Sequence, residues 1–330
     1  MERYSIANFE TCTREPIIRR MKDGTLICLF LTGGVTEPLN ENVVKISRST
    51  DNGKTWTEPE LFVSHPERGC WSTEIYTECE KPFAVVHTYN APCHYRELLT
   101  YAVYLDESGK ATGEPFTMKG HVNGCSIRQG IKMSNGETLF PLYWQEQRKT
   151  FGWGDEFKPT GNDWTFITGA GISADNEHFQ RFGYIEHPET GLWEPNAVEL
   201  EDGHILMYIR CAKDYIVMSE SFDYGRTWSK MYTSDIPNPD TKISVLKING
   251  KIIMANNFIK ISEKKGRLNL CLAKSDDGKH FEEICKIDNP EVPYFYPHLY
   301  ADCEEKMLYV AYENTRNHKL LKISFDELGI

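Results

Sequence analysis

Turn signatures recur along the chain about every 55 residues, and few architectures accommodate such a period. Asp23-Gly24, Asn135-Gly136, Asp202-Gly203 and Asn249-Gly250 each separate two β-rich apolar stretches, which is the sequence signature of a tight hairpin. Glu80-Lys81 before PFAVVHTY and Glu304-Glu305 before KMLYVAYE are weaker versions of the same turn. The turns near residues 24, 81, 136, 203, 250 and 305 lie 57, 55, 67, 47 and 55 residues apart. A second signature alternates with the first. The motif S-x-D-x-G-x-T-W is intact at Ser49–Trp56 and Ser221–Trp228, degraded at Ser173–Phe179 and Ser275–Phe281, and reduced in the second unit to Asp106–Gly109. In such a box the Asp hydrogen-bonds the turn's own backbone, Gly supplies a positive φ, and the aromatic plugs the neighbouring hairpin. It is a fold element without a catalytic role.

Six units of about four short strands predict an all-β chain: a six-bladed β-propeller of four-stranded antiparallel blades with Asp-box hairpins, one domain over residues 1–330. Closing such a ring brings the start of the chain near its end. Only the C-terminal SFDELGI carries a helical signal. Residues 148–168 form the longest irregular stretch and read as a loop over the central face. Gly169–Ala174 matches the dinucleotide pattern GxGxxA, but a degraded box follows where that fingerprint needs a helix.

Composition narrows the partners. A formal charge of −11 argues against nucleic acid, whose phosphates need a basic face. No apolar run approaches the roughly 20 residues that span a bilayer, and the first residues contain no secretory apolar segment. The 10 cysteines are never closer than nine apart, which leaves no CxxC knuckle for a structural zinc, and there is no N-x-[ST] sequon. The expectation is a cytoplasmic protein with no metal, no cofactor and no membrane partner.

The repeat also makes a geometric prediction. Counting back eight to ten residues from each hairpin turn gives Arg14, Trp71, Ser126 with Arg128, Glu194, Asp240 and Tyr296. At about 3.3 Å per residue of strand, these belong at one rim of the central channel. Arg210, seven residues past the Gly203 turn, and Arg267, eight before the Ser275 box, return to the same rim. Arginines converge where an anion offsets their repulsion, and a planar carboxylate suits their fork. Trp71, Trp144, Trp153, Trp164 and Trp193 are candidates for stacking on sugar rings, each with core packing as the alternative.

At these residues the chain resembles the sialidase (neuraminidase) superfamily, specifically bacterial Asp-box proteins, over essentially its whole length. Arg14-Glu15-Pro16 is similar to the family's Arg-Ile-Pro motif, whose Arg belongs to a carboxylate-binding triad. Arg210 in MYIRC and Arg267 before the last box resemble the second and third triad members. The segment Glu194–Leu200 resembles the one bearing the glutamate that activates the nucleophile, and Tyr296–Leu299 resembles the one bearing the nucleophilic tyrosine. The resemblance implies a retaining exo-glycosidase acting on a terminal carboxylated sugar. Tyr296, Glu194 and an acid would be catalytic, and Arg14, Arg210, Arg267, Asp240, Arg128 and Trp71 would bind an acidic oligosaccharide. A neutral tyrosine suits a substrate whose anomeric carbon carries a carboxylate, because an anionic nucleophile would be repelled.

One departure stands out. The loop before the first box, LTGGVTEPLNENVVKISRS, has no Asp where sialidases keep their acid. Glu37 is nearest to that position, Glu41 second, and Glu37 is taken as the general acid. Two other functions fit the same propeller: a polysaccharide lyase or other uronate-processing enzyme, and a non-catalytic glycan-binding protein.

Overall fold

A computed structural model describes residues 1–120, 122, 124–147, 164–263 and 266–330. Six sheets follow one another along the chain, antiparallel except where the two-residue strand Lys119–Gly120 pairs in parallel with His178–Ile185 at the edge of the third. The innermost strands of blades one to six are Thr13–Arg20, Gly69–Tyr76, Ser126–Ile127 with Ile131–Lys132, Trp193–Glu201, Ser244–Ile248 and Phe295–Asp302. Each of the six hairpin turns read from the sequence joins the first strand of a blade to its second. Each box joins the third strand to the fourth. Glu2–Asn8 is the outermost strand of the sixth blade, paired with Asn317–Ser324, so the ring is closed by main-chain hydrogen bonds between the two ends of the chain. The C-terminal signal becomes the short helix Phe325–Leu328, capped reciprocally by Ser324 and Glu327.

The apolar core is divided among the gaps between blades. One cluster fills each gap, as Leu308, Leu321, Ile253 and Leu272 do between blades five and six. Second strands such as Leu26–Thr32 are therefore buried along their whole length, because both faces meet a neighbouring blade. The boxes join blades as well as turning the chain. A Cβ on Gly53 would stand 2.5 Å from Leu320 of blade six, and on Gly225 2.5 Å from Leu139 of blade three. Each box tip that keeps its glycine thus presses it into the preceding blade.

The long irregular stretch is shorter than its sequence suggests. Residues 164–168 belong to the strand Trp164–Ser173, and 148–163, including Trp153, lie outside the described residues. The strand holds Gly169–Ala174 up to Ser173, and no helix follows, so the dinucleotide pattern has no structural context.

Candidate active site

The site is built on one local device used three times. Arg14-Glu15-Pro16, Trp193-Glu194-Pro195 and Phe295-Tyr296-Pro297 open the innermost strands of blades one, four and six. In all three the register with the second strand slips at the proline, which has no N–H to give to the ladder. The residue before each proline has a positive φ: 57° at Glu15, 51° at Glu194 and 52° at Tyr296. Asp240, just before the innermost strand of blade five, has φ 58°. Such non-glycine conformations cost about 1–3 kcal/mol each and persist where the surroundings enforce them. Here they aim side chains at the propeller axis.

The result is a pocket of about 220 Å³ lined by Glu15, Glu37, Glu194, Arg210, Tyr296 and a wall of aromatic residues that includes Trp71, Tyr143 and Trp193. Arg210 is the hinge of its charged side. Its Nη1 donates to Glu194 Oε2 at 2.6 Å and lies 3.4 Å from the Tyr296 hydroxyl, while its Nε donates to Asp240 Oδ1 at 2.8 Å. Glu194 and Tyr296 therefore meet through one guanidinium nitrogen. Arg14 donates through Nε to Glu37 Oε1 at 3.1 Å, with buried Glu313 3.9 Å from its Nη1. Arg267 lies over the rings of Phe295 and Tyr296, 4.9 and 5.2 Å from their centroids, and makes no ion pair among the described residues. Two of the three arginines are thus matched by the protein's own carboxylates.

The electrostatics separate the carboxyls. Burial pushes Glu37 up to about 7, with Glu15 and Glu194 adding to the shift and Arg14 opposing it. Burial would raise Glu15 too, but Arg128 and Lys242 more than reverse this and hold it at about 2. The Tyr296 hydroxyl is driven well above its ordinary value by burial and by Glu194, with Arg210 and Arg267 opposing. Asp240 is raised by burial, with Arg210 opposing.

Arg14, Arg210, Arg267, Asp240, Glu37, Glu194 and Tyr296, singled out from the sequence, are thus neighbours at one end of the channel. Arg128 is placed differently from the rim reading, and Trp71 is at the pocket but engaged with the protein itself. Trp71 lines the pocket, but its Nε1 donates to Glu15 Oε2 at 2.6 Å, and Arg128, only 1% exposed, is bound through Nη2 to Glu15 Oε1 beneath the pocket. Arg128 is part of the floor, out of a substrate's reach. Glu15 itself escaped the sequence reading, although the recurrence Glu-Pro, Glu-Pro, Tyr-Pro at blade starts carried the signal. Of the other tryptophans, Trp193 lines the pocket and lies 5.2 Å from the Arg210 guanidinium, whereas Trp144 packs between blades two and three.

A second cavity of about 320 Å³ opens on the opposite face, between the far ends of the innermost strands. Its polar groups serve the fold: Glu199 accepts from Ser134 and Gly203, and Arg19 is paired with Glu74 at 2.8 Å.

Residues 119–309, more than half of the chain, match the BNR repeat-like domain family. The chain belongs to this BNR repeat-like family. Solved structures of the same fold include a Dyadobacter fermentans protein of unknown function (TM-score 0.74, 14% identity, 98% of this chain and 97% of that one). The NanB sialidase of Streptococcus pneumoniae aligns at TM-score 0.69 and 14% identity over 98% of this chain and 70% of that one. A leech intramolecular trans-sialidase aligns at 0.70 and 15% over 99% and 71%. At such identities the likeness to these structures speaks for the fold of the sialidase-like propeller. A comparison with curated protein sequences returns no match.

Proposed function

We propose that the protein is a retaining exo-glycosidase of sialidase type that hydrolyses a terminal carboxylated sugar. One observation carries the reading: Tyr296, Glu194, Arg210 and a carboxyl that burial holds near pH 7 all border one axial pocket, with an unmatched arginine beside it. Arg267, with the free edges of Arg14 and Arg210, holds the substrate carboxylate; each charge-assisted hydrogen bond contributes about 1.5–3 kcal/mol. Glu37, protonated up to about neutral pH, gives its proton to the leaving oxygen. The Tyr296 oxygen forms a bond to the anomeric carbon as the glycosidic bond breaks, and the phenol proton passes to Glu194. Water, deprotonated by the Glu37 carboxylate, then displaces tyrosine and leaves the sugar with its configuration retained. Asp240 keeps Arg210 oriented at 2.8 Å.

A second reading, β-elimination at a uronate, is favoured by the cations around the phenol: Arg210 Nη1 is 3.4 Å from its oxygen and Lys242 Nζ is 6.0 Å from its ring. Arg210 opposes the burial that keeps the phenol protonated, which favours a basic tyrosine. Product analysis after incubation with sialosides and with uronic-acid oligosaccharides tests both. Free acidic sugar without ultraviolet absorbance supports hydrolysis, an unsaturated absorbing product supports the lyase, and binding without turnover supports a glycan-binding protein.

A further inference from the structure

The floor of the pocket holds charges that the glycosidase reading leaves unused. Glu15 accepts from Trp71 Nε1 at 2.6 Å and from Arg128 Nη2, and Lys242 Nζ stands 3.0 Å from its Oε1. The side chains of Glu15, Arg128 and Lys242 are 3%, 2% and 4% exposed, so water compensates none of them. Two cations against one carboxylate leave a net positive charge, and a buried excess charge is costly unless something nearby uses it. Lys242 Nζ lies 6.0 Å from the centroid of the Tyr296 ring, within cation–π range.

Most of the other charges facing Tyr296 have other engagements; Arg267, 5.2 Å from its ring, makes no ion pair among the described residues. From blade four come Glu194 and Arg210, which are bound to each other. From blade five come Asp240, bound to Arg210, and Arg267, partly exposed at the substrate's side. From blade one come Arg14 and Glu37, again bound to each other, and from blade two the phenol of Tyr95. Lys242 is the cation supplied from beneath. Its partner Glu15 occupies in blade one the place that Glu194 and Tyr296 occupy in blades four and six, so the same bulge that aims the reacting groups also anchors the lysine.

We propose that Lys242 is a positioning residue for Tyr296: fixed by Glu15 above the buried Arg128, its ammonium offsets the negative charge that the phenol oxygen acquires on losing its proton. The proposal rests on Tyr296 being the reacting group, and it serves a nucleophilic and a basic tyrosine alike. A cation within about 6 Å of the ring of an ionising phenol favours its anion, and a shift of about one unit is a tenfold change in the ionised fraction.

The test is made on the unliganded protein, with a difluorotyrosine placed at position 296. Its phenol is more acidic than that of tyrosine, and its fluorine resonance reports ionisation directly. Lys242→Met is expected to raise the ionisation pH by about one unit, Glu15→Gln to lower it, and the double variant to fall between them. Lys242→Arg should restore the lower value. If Lys242→Met alone does not fold, Glu15→Gln against the double variant, which has lost both charges, makes the same comparison and should show the same upward shift. An ionisation pH that does not move on removal of Lys242 overturns the proposal. Absence of turnover in the product screen would overturn the glycosidase reading without moving this titration.

Discussion

Glu37 combines a carboxyl held near pH 7 with a side chain still 23% exposed, as a proton donor to an entering substrate requires. Its shift is upward, so the protonated form persists below about pH 7 and is lost as pH rises through it. Turnover should therefore fall along an alkaline limb near pH 7. The same shift makes the folded protein bind more protons than the unfolded chain between about 4.5 and 7, so the contribution of Glu37 to stability declines across that window as pH rises. Glu37→Gln should abolish the limb. It should also cost far more activity on a poor leaving group than on an activated aryl one, and equal losses on both would give Glu37 another role. Arg267→Ala, which removes the unmatched guanidinium, should raise KM for acidic sugars about tenfold or more while leaving the thermal transition in place. Glu37 came from the family resemblance and Glu15 escaped, but Arg14, Glu194, Arg210 and Asp240 were legible because hairpin spacing assigns each a height on its strand. Their pairing was not. The sequence does not say that Arg210 bonds Glu194 at 2.6 Å in preference to the tyrosine, or that Arg128 is spent on Glu15, because both depend on the bulges that turn Glu15 and Glu194 inward.

The Asp-box hairpin shows how a local sequence rule becomes a contact between blades. Asp223 accepts from the backbone N–H groups of Arg226 and Thr227 at 3.0 and 2.8 Å and from the Thr227 hydroxyl at 2.6 Å, which holds its carboxyl below the usual range despite the opposing effect of burial. Trp228 Nε1 closes the turn on Gly225 O at 2.8 Å. Gly225 has φ 81°, and a Cβ there would meet Leu139 at 2.5 Å. Gly225→Ala should thus destabilise by about 2–4 kcal/mol, from overpacking of blade three together with left-handed strain. A lowered urea midpoint, with turnover at low temperature unaffected, is the expected result. These elements were readable because turn chemistry is local. The degraded boxes were readable for the same reason: Asp175 and Asp277 keep their bonds to the backbone of His178 and His280 although the glycine or the tryptophan of the motif is gone. The strand beginning at Trp164 was not, because no hairpin dipeptide or box motif in the sequence announces its start.

The ring depends on the N-terminal strand. Glu2–Asn8 covers the edge of Asn317–Ser324, and Arg3 reaches across to Ile287 O at 2.7 Å. Removing residues 1–9 should expose a bare sheet edge, lower the melting temperature and promote association, which light scattering would register. Closure also fixes the site, since blades one and six meet there: Arg14 and Glu37 come from the first, Tyr296 and Glu313 from the last. The truncated protein should consequently lose turnover before it loses strand content. The proposed chemistry has Tyr296 take a carboxylated sugar onto its oxygen, and the most direct measurement is to trap that bond. A fluorinated acidic sugar with a good leaving group, which forms the glycosyl–enzyme quickly and releases it slowly, is incubated with the protein, and the labelled peptide is located by mass spectrometry. One adduct is expected, on Tyr296 and absent from Tyr296→Phe. An adduct on another residue, or an unsaturated product from natural uronates with no adduct at all, would contradict it.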